Sequence, residues 1–179
     1  MEPMERSVKM RAPECWLVFL RVAIGAWFAK AIFTKLGITL LAGFIPVPGA
    51  SARWLHVMPI LLAKYTEGNP LEFYKEFVVN TVVPHAALFA HLTALGEVAV
   101  GVGLVLGCCT LLASGIGLVL VLNYSLLVGW QGASQQGFHF ALAVCLIVIL
   151  GARAGRLWGV DGWVRTRRPG SFLARLPLG

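Results

Sequence analysis

Between Glu76 and Arg153 lie 76 residues, and Glu97 is the only Asp, Glu, Lys or Arg among them. A chain of 179 residues cannot fold in water around so long an uncharged stretch. The stretch calls for lipid as its solvent, which excludes soluble enzyme folds, disordered regulators and nucleic-acid modules. Composition agrees: 13% of residues are charged, against about 25% in an ordinary soluble domain. The net charge of +7 then reads as a membrane-orientation signal rather than a nucleic-acid footprint.

The expected fold is an all-α integral membrane protein, a four-helix transmembrane bundle. Four spans of about 20 residues fit within this length and leave room for loops. The segment 1–14 is polar and mixed in charge. The apolar run behind it has no small-residue cleavage site and reads as a retained first helix, not a signal peptide. The spans are placed at 15–36, 82–106, 110–130 and 136–152, followed by a basic tail at 153–179. Short turns between the later spans predict antiparallel neighbours. Gly103-x-x-x-Gly107 and Gly151-x-x-x-Gly155 permit close helix approach.

Positive charge sets the orientation. Arg6, Lys9 and Arg11 precede the first span, and Arg153, Arg156, Arg165, Arg167, Arg168 and Arg175 follow the last. The long first loop carries Arg53, Lys64 and Lys75. This bias places both termini in the cytoplasm, and the expected location is a prokaryotic inner membrane.

The first loop, 37–81, is too long to be structureless. Residues 37–48 are apolar and end at Pro46 and Pro48, which suggests a buried or re-entrant extension of the first span. Trp54, Met58, Leu61 and Tyr65 follow helical spacing, and so do Leu71, Tyr74 and Val78. Asn69-Pro70-Leu71-Glu72 reads as a helix start with Asn69 as its cap. Two short amphipathic helices on the outer face of the bundle are expected.

Ionisable residues inside spans are costly and therefore functional suspects. By rise per residue, Arg21 and Glu97 lie roughly 9 Å and 13 Å from the cytoplasmic side. Opposite signs at similar depth predict an ion pair, which either fixes helix register or takes part in chemistry. A second layer is formed by Lys30, His91, Asn123 and His139, one from each span, at roughly 18–23 Å. Tyr124 is adjacent to Asn123. Such donors suit the two carbonyls of a quinone ring, or a lipid headgroup in its place, with the tail in an apolar slot. A His or Lys there would also pass protons. Interhelical hydrogen bonding without a ligand is the plainer alternative.

No metal site is expected. His85, His91 and Glu97 are spaced by six, which puts neighbours on different helix faces. His91 and His139 have matching heights for haem ligation, but nothing else marks a haem pocket. Cys15, Cys108, Cys109 and Cys145 form no C-x-x-C pair, which argues against a thiol-disulfide relay. Cys108 and Cys109 would be free thiols on the cytoplasmic side.

Three motifs in order give the chain a resemblance to the DoxX/DoxD family, which includes the small DoxD-type subunit of thiosulfate:quinone oxidoreductase. Arg21, Gly25, Phe28 and Lys35 match its first-span pattern, with Ile32 where the family usually has Gly. Gly96, Glu97, Gly101, Leu104, Gly107 and Thr110 match the second-span pattern. Gly151-Ala-Arg-Ala-Gly-Arg156 with Val160-Asp161 resembles the family's closing motif. The resemblance implies a four-helix membrane bundle and a role in passing electrons from sulfur compounds to quinone.

The expected function is thus a quinone-linked membrane redox subunit. The sequence offers no redox centre beyond thiols, so other membrane subunits are expected as partners besides the lipid bilayer. The alternative is a non-catalytic accessory subunit packed against a larger respiratory or photosynthetic complex. A small carrier or channel lined by Arg21 and Glu97 is a third reading, without the inverted repeats common in transporters.

Overall fold

The computed structural model describes residues 12–41 and 44–167. Arg6, Lys9, Arg11, Arg168 and Arg175 lie outside the described residues. Four helical stretches are long and apolar enough to cross a membrane: Pro13–Thr34, Ala86–Leu106, Thr110–Gln131 and Ala133–Gly151. Only 22% to 33% of each span's most apolar window is buried inside the protein. The outward faces carry Trp16, Phe19, Leu88, Leu122, Phe140 and Ile147. Hydrocarbon is the solvent that suits those faces, and an α-helix satisfies its own backbone groups there.

The first span comprises α1 (Ala12–Ala29) and a short continuation, α2 (Ala31–Thr34). The extension expected over 37–48 is instead an antiparallel ribbon, β1 (Leu36–Leu41) and β2 (Ile45–Ala50), with Leu36 opposite Ala50 and Leu41 opposite Ile45. Pro46 and Pro48 explain the difference. Neither has an N–H for a helix, whereas both are tolerated on an edge strand. The ribbon returns the chain to its starting point, and Ser51 N donates to the Lys35 carbonyl at 2.7 Å.

Two helices follow. α3 (Ala52–Glu67) is capped by the Ser51 hydroxyl, which accepts from Trp54 N. α4 (Glu72–Phe77) begins at Glu72, so Asn69 is not its cap. Asn69 is buried instead, accepting from Leu71 N and donating to the Leu126 carbonyl at 2.8 Å. A single π-turn over Val78–Val82 leads toward α5 (Ala86–Leu106). α6 (Thr110–Val128) and α7 (Ala133–Gly151) complete the bundle, and α8 (Val160–Arg167) lies beyond it. α7 starts three residues earlier than the sequence suggested, because Ala133, Ser134 and Gln135 are helical.

The core has two parts. Phe28, Val100, Leu104, Val121, Leu146 and Ile149 fill the space between the four spans. Met58, Leu62, Tyr74, Val78, Ala90 and Ala94 join the loop helices to α5. α1 and α5 are antiparallel and approach backbone to backbone at two glycines. A Cβ at Gly101 would strike the Ala29 backbone, and one at Gly25 would sit 2.8 Å from Val105 N. Small residues supply this closeness where no hydrophobic force drives helices together in lipid.

Gly101→Val should therefore separate α1 from α5 and lower the melting temperature of the detergent-solubilised chain, at a cost of about 1–3 kcal/mol or more. Gly115 has nothing within 4 Å of its virtual Cβ, so Gly115→Ala should leave melting unchanged or raise it. Tryptophan fluorescence during a thermal ramp reads both.

Candidate functional site

The first polar cluster is built around Glu97, the lone acid of the three later spans. Its side chain is 10% exposed, and Oε1 lies 2.8 Å from Lys35 Nζ. Tyr124 Oη donates to the same oxygen at 2.7 Å. Lys35 sits just past α2, where the ribbon and α3 fold back around it. Its ammonium lies 4.4 Å from the Trp54 ring centroid and 5.4 Å from that of Tyr124. Such contacts stabilise a cation that burial would otherwise penalise. Trp54 Nε1 donates to Thr93 Oγ1 and so fixes the indole against α5.

Beside this cluster lies a cavity of about 240 Å3, lined by Lys30, Lys35, Glu97, Tyr124 and His139 on its polar side and by Phe28, Val121 and Leu142 among its apolar walls. It shares Lys30, Lys35, Tyr124 and His139 with a wider cleft of about 500 Å3 running out along Trp54, Met58 and Leu62 of α3. Lys30 Nζ stands 3.3 Å over the Trp27 ring, and Trp27 meets Phe138 at 5.3 Å between centroids. His139 Nδ1 is 2.7 Å from the Gln135 carbonyl. A carbonyl only accepts, so this contact assigns the proton of the neutral ring to Nδ1 and leaves Nε2 as its basic nitrogen.

Of the expected polar layer, Lys30, Tyr124 and His139 converge here, and His91 and Asn123 do not. His91 Nδ1 bonds the Ala87 carbonyl of its own helix. Asn123 donates to Val119 O, and its own carbonyl accepts from Tyr74 Oη at 3.1 Å. It lines a separate, mostly apolar cavity of about 220 Å3 with Tyr74, Phe77, Val78 and Phe89. Burial there pushes the Tyr74 phenol up.

The expected Arg21–Glu97 ion pair is not formed. The contacts of Gly25 with Val105 and of Gly101 with Ala29 set the register of α1 against α5. In that register Glu97 lies beside the Lys35 end of the first span, and Arg21 lies roughly three helical turns away, beside the α5–α6 turn.

Arg21 anchors the second cluster. It is 1% exposed. Nη1 donates to the carbonyls of Ala154 at 2.8 Å and Leu157 at 3.1 Å, and Nη2 to that of Trp158 at 3.2 Å. Asp161 completes the knot. Its carboxylate accepts from Cys109 N at 2.7 Å and Thr110 N at 2.9 Å, capping α6, while its own N–H donates to Gly107 O. Gly107 closes α5 at φ 64°, with the guanidinium of Arg21 against its Cα, and only glycine fits both demands. Cys109, Arg153 and Trp158 adopt left-handed backbone at φ 46° to 48°. Burial, the Cys109 thiol and the Asp161 carboxylate push the Cys108 thiol up.

No family model, curated protein or solved structure matches this chain. The two clusters therefore stand on their own chemistry. One is a knot that closes the bundle end, and the other borders a cavity.

Arg21→Leu leaves the Leu157 and Trp158 carbonyls without their donor and removes one of two from that of Ala154, and should cost more than about 3 kcal/mol. Asp161→Ala removes the α6 cap and should cost about 1–2 kcal/mol. Lys30→Met, at an exposed cation, should change stability little. Thermal unfolding of the three variants in one detergent tests this ranking.

Proposed function

We propose that the chain is a quinone-linked membrane redox subunit of the DoxX/DoxD type, with a quinone headgroup held in the cavity beside Glu97. The observation that carries this reading is the cavity's mixed lining. Two lysines, a phenol, a carboxylate and an imidazole meet apolar walls. A quinone accepts two electrons and two protons, and this donor set suits both its carbonyls and its protonation.

The residues divide the work by position. Lys30 is held over Trp27 and exposed toward the cleft, placed to donate to one carbonyl. Tyr124 Oη already carries a proton shared with Glu97 and lies on the opposite wall. Glu97 and Lys35 form an ion pair behind it, and the Lys35 ammonium holds a proton that can replace one lost by the phenol. His139 offers Nε2 as a base. The wide cleft along α3 leaves room for an isoprenoid tail. Electrons arrive from a partner subunit, with thiosulfate as the electron source in the family-based reading.

In this reading both termini are cytoplasmic in a prokaryotic inner membrane, and α3 and α4 lie as amphipathic helices on the outer face. The cavity then opens in the outer half of the bilayer, and Arg153, Arg156, Arg165 and Arg167 face anionic lipid on the inner side.

Trp27 and Trp54 report on the cavity directly. Titrating the purified full chain with a short-tailed ubiquinone analogue should quench tryptophan fluorescence saturably. Tyr124→Phe and Lys35→Met should each weaken binding by about tenfold or more, as expected for loss of a charge-assisted hydrogen bond. His91→Leu should bind like the parent, because its ring is engaged by its own helix. Quenching that never saturates, or that is the same in all variants, contradicts the quinone site and leaves the accessory-subunit reading in its place.

A further inference from the structure

The knot at the other end of the bundle contains chemistry that the quinone reading does not use. Cys108 and Cys109 occupy the turn between α5 and α6, and Asp161 begins the first turn of α8. Both cysteines are free thiols, and each is half-buried. One donor atom from each of Cys108, Cys109 and Asp161 lies within 4.8 Å of the others. Two sulfurs bound to one tetrahedral zinc stand roughly 3.8 Å apart, given bond lengths of about 2.3 Å. Small side-chain rotations bridge that difference.

The surroundings match those of a built cation site. The carboxylate is oriented by the N–H groups of Cys109 and Thr110. Each oxygen keeps a further lone pair for a cation, and such outer hydrogen bonds are what hold a ligating carboxylate in place. The Thr110 hydroxyl is 1% exposed and has no hydrogen-bond partner. Thr110 Oγ1 and Asp161 Oδ2 both abut the bare Cα of Gly155, so they share one small space. That orphaned hydroxyl is placed to accept from a fourth ligand such as water. The charges of Arg21 and Arg156 act on Asp161 and offset the anionic charge that two thiolates and a carboxylate would concentrate there.

We infer that Cys108, Cys109 and Asp161 bind one thiophilic divalent cation of the zinc type. Two sulfurs select a soft or borderline ion over magnesium or calcium, and three protein donors leave one position open. The cation would join the α5–α6 turn to the segment after α7, beside the carbonyls that Arg21 already gathers. This site is at the end of the bundle away from the cavity, so it stands or falls independently of quinone binding.

The test uses the full-length chain in detergent, carrying Cys15→Ser and Cys145→Ser so that only the paired thiols remain. Titration with Cd2+ alone should produce thiolate-to-metal charge-transfer absorption that saturates at one ion per chain, and Zn2+ should compete it away. Bound Cd2+ should protect Cys108 and Cys109 from maleimide, as read by mass spectrometry. This second readout needs no change at the site itself. Cys108→Ser should weaken Cd2+ binding at least about tenfold, and Asp161→Asn should weaken it while preserving the absorption band. Absence of saturable absorption overturns the site. So does absorption that survives loss of both cysteines, or isolation of the chain with Cys108 and Cys109 joined as a disulfide.

Discussion

A single carboxylate has to be accommodated within 76 residues of otherwise uncharged chain, and its neutralisation by Lys35 organises one end of the bundle. An unpaired charge in hydrocarbon is costly enough to be retained only with a partner. Here the partner comes from the end of the first span, and the Tyr124 hydroxyl of the third span shares the same oxygen. Three elements are thereby fixed relative to one another. The ribbon matters for the same reason. By returning Ser51 to Lys35 it starts α3 beside the ion pair, and Trp54 then covers the ammonium. The cavity is what remains between this cluster, the Lys30–Trp27 stack and His139.

The opposite end follows the same rule with different chemistry. Arg21 meets no carboxylate in direct contact among the described residues. It spreads its charge over three carbonyls that irregular backbone has turned toward it. The chain after α7 leaves helical geometry at Arg153 and Trp158, which turns these carbonyls toward Arg21; that of Ala154 also accepts from Leu157 N. Asp161 then ties this segment to the start of α6. Gly107, Thr110, Gly155 and Asp161 meet here with Arg21. Glu97 and Lys35 meet at the cavity.

The spans were legible in the sequence because absence of charge is a property of composition and needs no geometry. The layer of Lys30, His91, Asn123 and His139 came from rise per residue, which converts position into height. Height says nothing of azimuth, and this is why His91 and Asn123, at the right level, turn toward their own helix and the loop helices. The Arg21–Glu97 pairing failed for a different reason: each depth was counted from its own span end, which does not fix how the two spans slide past each other. The close glycine contacts, Gly25 with Val105 and Gly101 with Ala29, set a register that puts Glu97 opposite Lys35. The ribbon was hidden because an apolar run reads the same in helix and strand, and only Pro46 and Pro48 mark the difference. The knot depends on contacts between segments far apart in sequence, which local spacing does not encode.

The account rests on Glu97 being held by Lys35 and not by Arg21, and a pair of double-mutant cycles measures that directly. Unfolding free energies would be determined in one detergent for Lys35→Leu, Arg21→Leu, Glu97→Leu and the two doubles containing Glu97→Leu. Residues in contact couple by about 0.5–3 kcal/mol, and distant ones add within about 0.5 kcal/mol. The structure predicts coupling above about 1 kcal/mol for Lys35 with Glu97 and additivity for Arg21 with Glu97. Strong coupling of Arg21 to Glu97, with Lys35 additive, would contradict the arrangement from which the cavity and its chemistry were derived.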